Sequence, residues 1–367
     1  MEANLSTVSE STSSVGLPPD AGPAAARTGK APQVKLLNVQ ILRAYAAFAV
    51  VFFHTGFHRG LPRPLGRFGV DTFFVISGFM MAYICATNPR NFFLRRVARI
   101  VPLYWLATFA VFFLAIAAPR FLQATQASSV HLLKSLFFIP FLKSDGLVQP
   151  MLFVGWSINY EMYFYVIIAL ALLLTRRYAA VLSAFLLTGI FAVLHVLPIT
   201  SKVLQFFGEP LIFEFLLGMV CFWFFHRLPR AAVTQYRYLI LLLGIAGLIG
   251  QPLFAIYSPL HPVACAIGLQ LAAMCMVLSA VLLDRIGFSL RVAALVLLGD
   301  ASYATYLTHF YCVGAIGAAA GKIGSVFLQR DHLAGMLLCL IFAHLVGVAV
   351  YLAVDKPAHT WFRRRLD

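Results

Sequence analysis

Ten runs of about twenty mostly apolar residues divide this chain, and that division leaves it very few ways to fold. The runs fall near 36–58, 67–87, 97–118, 152–174, 178–198, 206–226, 236–257, 261–283, 292–318 and 332–354. At ~1.5 Å per helical residue each can cross a hydrocarbon core ~30 Å thick. Lipid offers no hydrogen bonds to the backbone, so a spanning segment has to be a helix or part of a closed barrel. Barrel strands alternate in polarity over about ten residues, whereas these runs are apolar on nearly every side. The expected fold is therefore all-α, a polytopic membrane bundle with about ten transmembrane helices. Composition agrees: 61% of the residues are hydrophobic, only 11% are charged, and mean hydropathy is +0.88.

The formal charge of +15 raises nucleic acid as a partner, but the basic residues sit between spans rather than on one patch. With the N-terminus placed in the cytoplasm, inner segments collect 18 of the 28 Lys and Arg, outer loops hold nine, and Arg43 lies inside the first span. Arg59, Arg63 and Arg67 in the first outer loop run against that bias. The distribution predicts a multi-pass protein of the cell inner membrane with both termini cytoplasmic, and no nucleic-acid partner. Residues 1–33, rich in Ser, Thr, Pro, Ala and Gly, hold no apolar run and read as a disordered cytoplasmic tail. No signal-peptide pattern precedes Lys30, so the first span is expected to act as the targeting signal. Residues 358–367 read as a basic cytoplasmic C-terminal tail. The six cysteines fall in or beside apolar runs without CxxC pairing, which argues against disulfides and zinc. Phosphate-loop, dinucleotide, zinc-protease and hydrolase-elbow motifs are absent.

The informative residues are the polar ones inside the spans, because burying them in lipid is costly and such residues usually face a cavity. Arg43 and His54 are eleven residues apart, three helical turns plus ~20°, so both project from one face about 16 Å apart along the axis. Position alone leaves snorkelling to the two headgroup layers open for this pair. Asp71 lies near the outer end of the second span, and Ser157, Glu161 and Tyr165 form a stripe on the fourth. A buried protonated carboxyl bonded to neighbouring helices is the bland alternative for Glu161. Ser302, Tyr306 and His309 share a face of the ninth span, and Glu209 and Glu214 open the sixth. His54, Asp71, Glu161, Glu214 and His309 are thus expected at roughly one level, in a polar chamber. On the opposite side Arg95, Arg96 and Arg99 stand where the third span enters; guanidinium groups suit phosphates, although positive-inside charge explains them too.

Five stretches, in this order, resemble the membrane acyltransferase 3 family of integral membrane O-acyltransferases. They are Arg43 with ten residues before His54, "GVDTFFVISGF" at 69–79, "RRVARIVPLYW" at 95–105, "GWSINYEMYFY" at 155–165 and "LGDASYATYLTH" at 299–309, followed by "DKP" at 355–357. The likeness runs from residue 36 nearly to the end, with 34–357 as the acyltransferase domain. The stretch "SLFFIPFL" at 135–142 before "GWSINYEMYFY" looks most like rhizobial-type exopolysaccharide O-acetyltransferases. Where the family often closes with Glu-Lys-Pro, this chain has Asp355, Lys356 and Pro357.

The resemblance implies an enzyme that moves an acyl group, acetyl by default, from cytoplasmic acyl-CoA to a hydroxyl of an exopolysaccharide or another surface glycan. It implies acetyl-CoA as donor substrate and no metal, a glycan or lipid-linked saccharide as acceptor, and membrane lipid as surroundings. Arg95, Arg96 and Arg99 are then expected on the nucleotide phosphates, and Arg43 on a phosphate or the pantetheine arm. His54 is the expected base, since a sugar hydroxyl needs one with a pKa near 7; Asp71 or Glu161 would orient its ring. Trp156, Asn159, Glu214, Tyr306 and His309 are the expected acceptor-binding set. An acyl-His intermediate on His54 is a second route. The rival reading is a transporter or flippase, in which the same residues line a substrate path.

Overall fold

The computed structural model describes residues 36–57, 65–118 and 125–366. The tail expected over residues 1–33, and Arg59 and Arg63, lie outside the described residues. Fifteen helices are described: α1 Leu37–Thr55, α2 Gly69–Thr87, α3 Phe92–Ala117, α4 Ser129–Leu136, α5 Trp156–Leu174, α6 Ala179–Val196, α7 Lys202–Phe206, α8 Leu211–Arg227, α9 Arg230–Gln235, α10 Arg237–Tyr257, α11 Pro262–Arg285, α12 Ala293–Asp300, α13 Ser302–Ile323, α14 Leu333–Val350 and α15 Lys356–Leu366. Among the described residues the only β-pairing is one antiparallel bridge, Leu142 to Val148. Nine helical stretches among these residues are long and apolar enough to cross a membrane. The protein is a polytopic membrane helical bundle.

The departure from the ten predicted spans is at 292–318. The chain breaks there at Ala301 into α12 and α13, and α13 falls short on apolarity. Its first turns carry Ser302, Thr305, Tyr306 and His309, all buried against neighbouring helices instead of facing lipid. Protein contacts, not hydrocarbon, solvate this stretch of helix.

α1 packs most of its length against other helices, with Phe48 on its exposed side. Val39, Ala44, Ala46, Ala47, Val50 and Val51 are all buried, and it packs against α2, α11, α12, α13 and α14. Leu36 cannot cap its first turn, so the cap comes from another helix: the backbone N–H groups of Asn38 and Val39 donate to the Asp284 carboxylate at 3.0 and 3.3 Å. Small residues set the spacing around it. A Cβ on Gly69 of α2 would stand 2.4 Å from Ala46 O. On the far side of α2, Cβ atoms on Gly78 and Gly218 would stand 2.0 and 2.1 Å from Phe215 O and Val75 O, so α2 and α8 touch backbone to backbone.

The "DKP" motif has a local explanation. Pro357 has no N–H for the carbonyl of Ala353, and the preceding turn, Tyr351–Asp355, widens to a π-turn before α15 continues the helix. The widened turn leaves Asp355 buried and facing α3, where it meets Arg99.

Candidate active site

At the C-terminal end of α1, the Nδ1 atom of His54 lies 2.9 Å from Val50 O, one turn back, and 3.1 Å from Nε2 of His309 on α13. The two imidazole rings are 4.8 Å apart and tilted by 62°. Nδ1 of His309 lies 2.7 Å from Tyr306 O. Phe153 and Phe310 stack on each other at 4.6 Å, and each presents its edge or face to the His54 ring at 6.0 and 5.6 Å. Phe153 belongs to the 3-10 turn that leads into α5. The segment before that turn packs on α3: Phe138 stacks on Tyr104 at 4.7 Å, and Trp105 Nε1–H donates to Leu136 O at 2.9 Å.

Below the imidazole pair, polar side chains form a column. Tyr306, one turn from His309, shares a 2.6 Å hydrogen bond with Ser157 and reaches Val154 O at 3.2 Å. One turn further along α5, Glu161 accepts from Ser77 at 3.1 Å and from Tyr165. Tyr303, one turn from Tyr306 on α13, donates to Ile100 O at 2.8 Å and lies under the Arg99 guanidinium. Arg99 pairs with Asp355 at 2.8 Å. Arg43 sits in this lower group, in the field of Arg99, Asp300, Glu161 and Asp355, with Gln40 Oε1 at 3.4 Å. Arg96 is beside Tyr165; its Nε is buried without a partner, and it forms no ion pair with a described residue.

The structure therefore turns both Arg43 and His54 inward, as the eleven-residue spacing predicts, but it does not gather the expected residues at one level. Gly69 packs against Ala46 and Val50, so Asp71, two residues deeper along α2, sits roughly two turns, ~12 Å, from the level of His54. Ser77 lies deeper still and carries Glu161 with it, to the Arg43 end. The reason is antiparallel packing: the α1–α2 connection leaves His54 above the first turn of α2. Asp71 instead lies with Arg67 and Glu214 at the α2–α8 seam, where Glu214 is buried and its Oε2 has no partner. The side chain that meets the His54 ring is His309, in the orienting place that the sequence reading offered to Asp71 or Glu161.

Of the expected acceptor-binding set, Tyr306 and His309 reach the column. Trp156 and Asn159 do not: Asn159 is two residues from both Ser157 and Glu161, so it points ~160° away from their stripe. It is buried, with neither amide atom bonded. Trp156 lies on that side too, against Tyr160. Of the arginines expected on phosphate, Arg99 is already clasped by Asp355, while Arg96 is not. The sequence reading missed this clasp and the imidazole pair. "DKP" was the available signal for the first; for the second the sequence placed His54 and His309 at one level of the chamber, as they are found, but did not pair the two rings.

An imidazole pair at one end, with His309 buried and His54 half-buried, guanidinium groups at the other and hydroxyls between suit a group transfer. Comparison with known proteins reaches the same class. Residues 36–354 match the acyltransferase domain of the acyltransferase 3 family, and the chain belongs to that family. It is a membrane acyltransferase. It is 31% identical over 318 residues to the exopolysaccharide production protein ExoZ of Rhizobium meliloti, an alignment that covers 84% of this chain and 94% of ExoZ. It is 24% identical over 262 residues to the peptidoglycan O-acetyltransferase OatA of Listeria monocytogenes, covering 63% of this chain and 40% of OatA. No solved structure matches.

Proposed function

We propose that this acyltransferase moves an acetyl group from cytoplasmic acetyl-CoA to a hydroxyl of an exopolysaccharide, with His54 as general base. The observation that carries the reading is the polar column itself: one helix, α1, turns Arg43 and His54 into the same interior, with Tyr303, Tyr306, Ser157 and Glu161 between them. The extent of the likeness to ExoZ supports an exopolysaccharide acceptor. The arginine end, placed in the cytoplasm of the inner membrane with both termini, agrees with the excess of Lys and Arg in those segments.

In this reading Arg96, with Arg95 and Arg43, binds the donor phosphates, and the pantetheine arm lies along α1 where Ala47 and Val50 offer only small side chains. The thioester then ends at His54. His54 removes the proton of the sugar hydroxyl as the oxygen–carbon bond forms; the carbon–sulfur bond breaks, and the proton passes from the imidazolium to the departing thiolate. Donor and acceptor enter from opposite ends, so the ester forms without the coenzyme crossing the membrane.

The test uses the purified full chain in lipid nanodiscs with radiolabelled acetyl-CoA and de-O-acetylated exopolysaccharide. Alkali-labile label on the polysaccharide is the expected product. If label moves only when the nanodiscs are replaced by sealed vesicles, and no ester forms, the protein is acting as a carrier and the proposal fails.

A further inference from the structure

Three membrane-helix histidines hold Nδ1 against the carbonyl one turn back: His54 on Val50 O at 2.9 Å, His195 on Phe191 O at 2.9 Å and His344 on Leu340 O at 2.8 Å. That bond is the common arrangement in this protein and does not set His54 apart. The second imidazole does. His309 is 0% exposed, and its Nδ1 lies 2.7 Å from Tyr306 O. A carbonyl can only accept, so neutral His309 carries its proton on Nδ1 and its lone pair on Nε2. Nε2 then accepts, and the hydrogen between the rings belongs to Nδ1 of His54, at 3.1 Å. Val50 O makes the same demand. The assignment follows from the partners, and it places the basic lone pair of His54 on Nε2.

On the reading that His54 takes the hydroxyl proton, we infer that His309 is the positioning residue of that imidazole, holding it in the Nδ1–H tautomer and stabilising its charged form. When Nε2 of His54 gains the proton, the Nδ1–H bond to His309 becomes charge-assisted and strengthens. When the proton passes on to the thiolate, the bond relaxes and the pair returns to its starting state. A carboxylate fills this place in serine-protease triads. Here the place is the fully buried one that His309 holds, and an ionised carboxylate at full burial would be expensive to desolvate. A neutral imidazole carries no such cost in the resting state and still offers an acceptor. Phe153 and Phe310 present their rings to the His54 imidazole at 6.0 and 5.6 Å.

The full chain in nanodiscs, with acetyl-CoA and de-O-acetylated exopolysaccharide, tests this through three variants. His309→Gln places an acceptor oxygen where Nε2 stands, and is expected to keep kcat within roughly tenfold of the parent. His309→Leu removes the acceptor, and is expected to lower kcat by ~100-fold or more, with KM for acetyl-CoA within about twofold. Equal losses in the two variants, or full kcat in His309→Leu, overturn the inference. His54→Ala separates the two levels: if it is inactive while His309→Leu is not, only the role of His309 falls; if it is active, the base assignment falls with it. Should the leucine variant not fold, solid-state NMR of 15N-histidine-labelled parent protein decides, with His54 assigned by difference from His54→Ala. A protonated Nδ1 on His54 is expected, and an unprotonated Nδ1 overturns the inference.

Discussion

The two ends of the α1 column solve the same problem, polar groups inside a membrane bundle, by opposite means. The arginine end is charged: Arg43, Arg96 and Arg99 stand with Asp300, Glu161 and Asp355, and one ion pair is closed at 2.8 Å. The histidine end is built from titratable groups, two imidazoles bonded to each other and to backbone carbonyls beside an aromatic wall. The difference teaches where charge can be held permanently and where it can exist only for the length of a reaction. Fixed guanidinium groups suit a donor that is always anionic. Imidazoles suit a site that must gain and lose one proton in each turnover.

That contrast can be broken most directly at His54. His54→Ala is expected to lower transfer by ~10³-fold or more, with the protein still extracted and folded like the parent; activity within tenfold would move the chemistry elsewhere. Next in size is the clasp. Arg99→Leu leaves Asp355, 3% exposed, without its cation, and the expected loss of stability is ~3 kcal/mol. Thermal unfolding in detergent reads it, and adding Asp355→Leu is expected to restore most of the loss. A stable Arg99→Leu protein with a weakened donor KM would place Arg99 among the binding groups instead. Arg96→Gln sharpens the same division: KM for acetyl-CoA rises about tenfold or more while kcat stays within ~twofold, as for loss of a charge-assisted bond. Saturation curves for the donor measure it, and an unchanged KM would remove Arg96 from the phosphate site. Gln40→Ala should matter least, because its 3.4 Å contact to Arg43 is near the limit of a hydrogen bond. A change in donor KM of less than about threefold is expected, and a larger one in the same titration would show that Gln40 holds Arg43 in place.

Much of the fold was open to a sequence reading because lipid enforces simple rules. A run of about twenty apolar residues is enough for a span, as it is for all of the predicted runs but 292–318 among the described residues, and eleven residues of α-helix return a side chain to the same face. Arg43 and His54 were found that way, and α1 does turn both toward the interior. The expected level of Asp71 and Glu161 was not found, since depth on one helix is set by where it packs on another. Gly69 against Ala46, and Gly78 against Phe215, decide that register through backbone approaches so close that an added Cβ would stand 2.0–2.4 Å from the facing carbonyl oxygen, and no hydropathy profile contains them.

By itself the sequence determined an all-α membrane bundle, the shared face of Arg43 and His54, and an ordered set of motifs that marks a membrane acyltransferase. Those properties are local: they depend on residue type, run length and helical repeat. The pairing of His54 with His309, the clasp of Arg99 by Asp355 and the removal of Asp71 from the histidine end were decided only in the tertiary structure. Each joins helices whose relative rotation and depth come from small-residue packing, and that geometry is not additive along the chain.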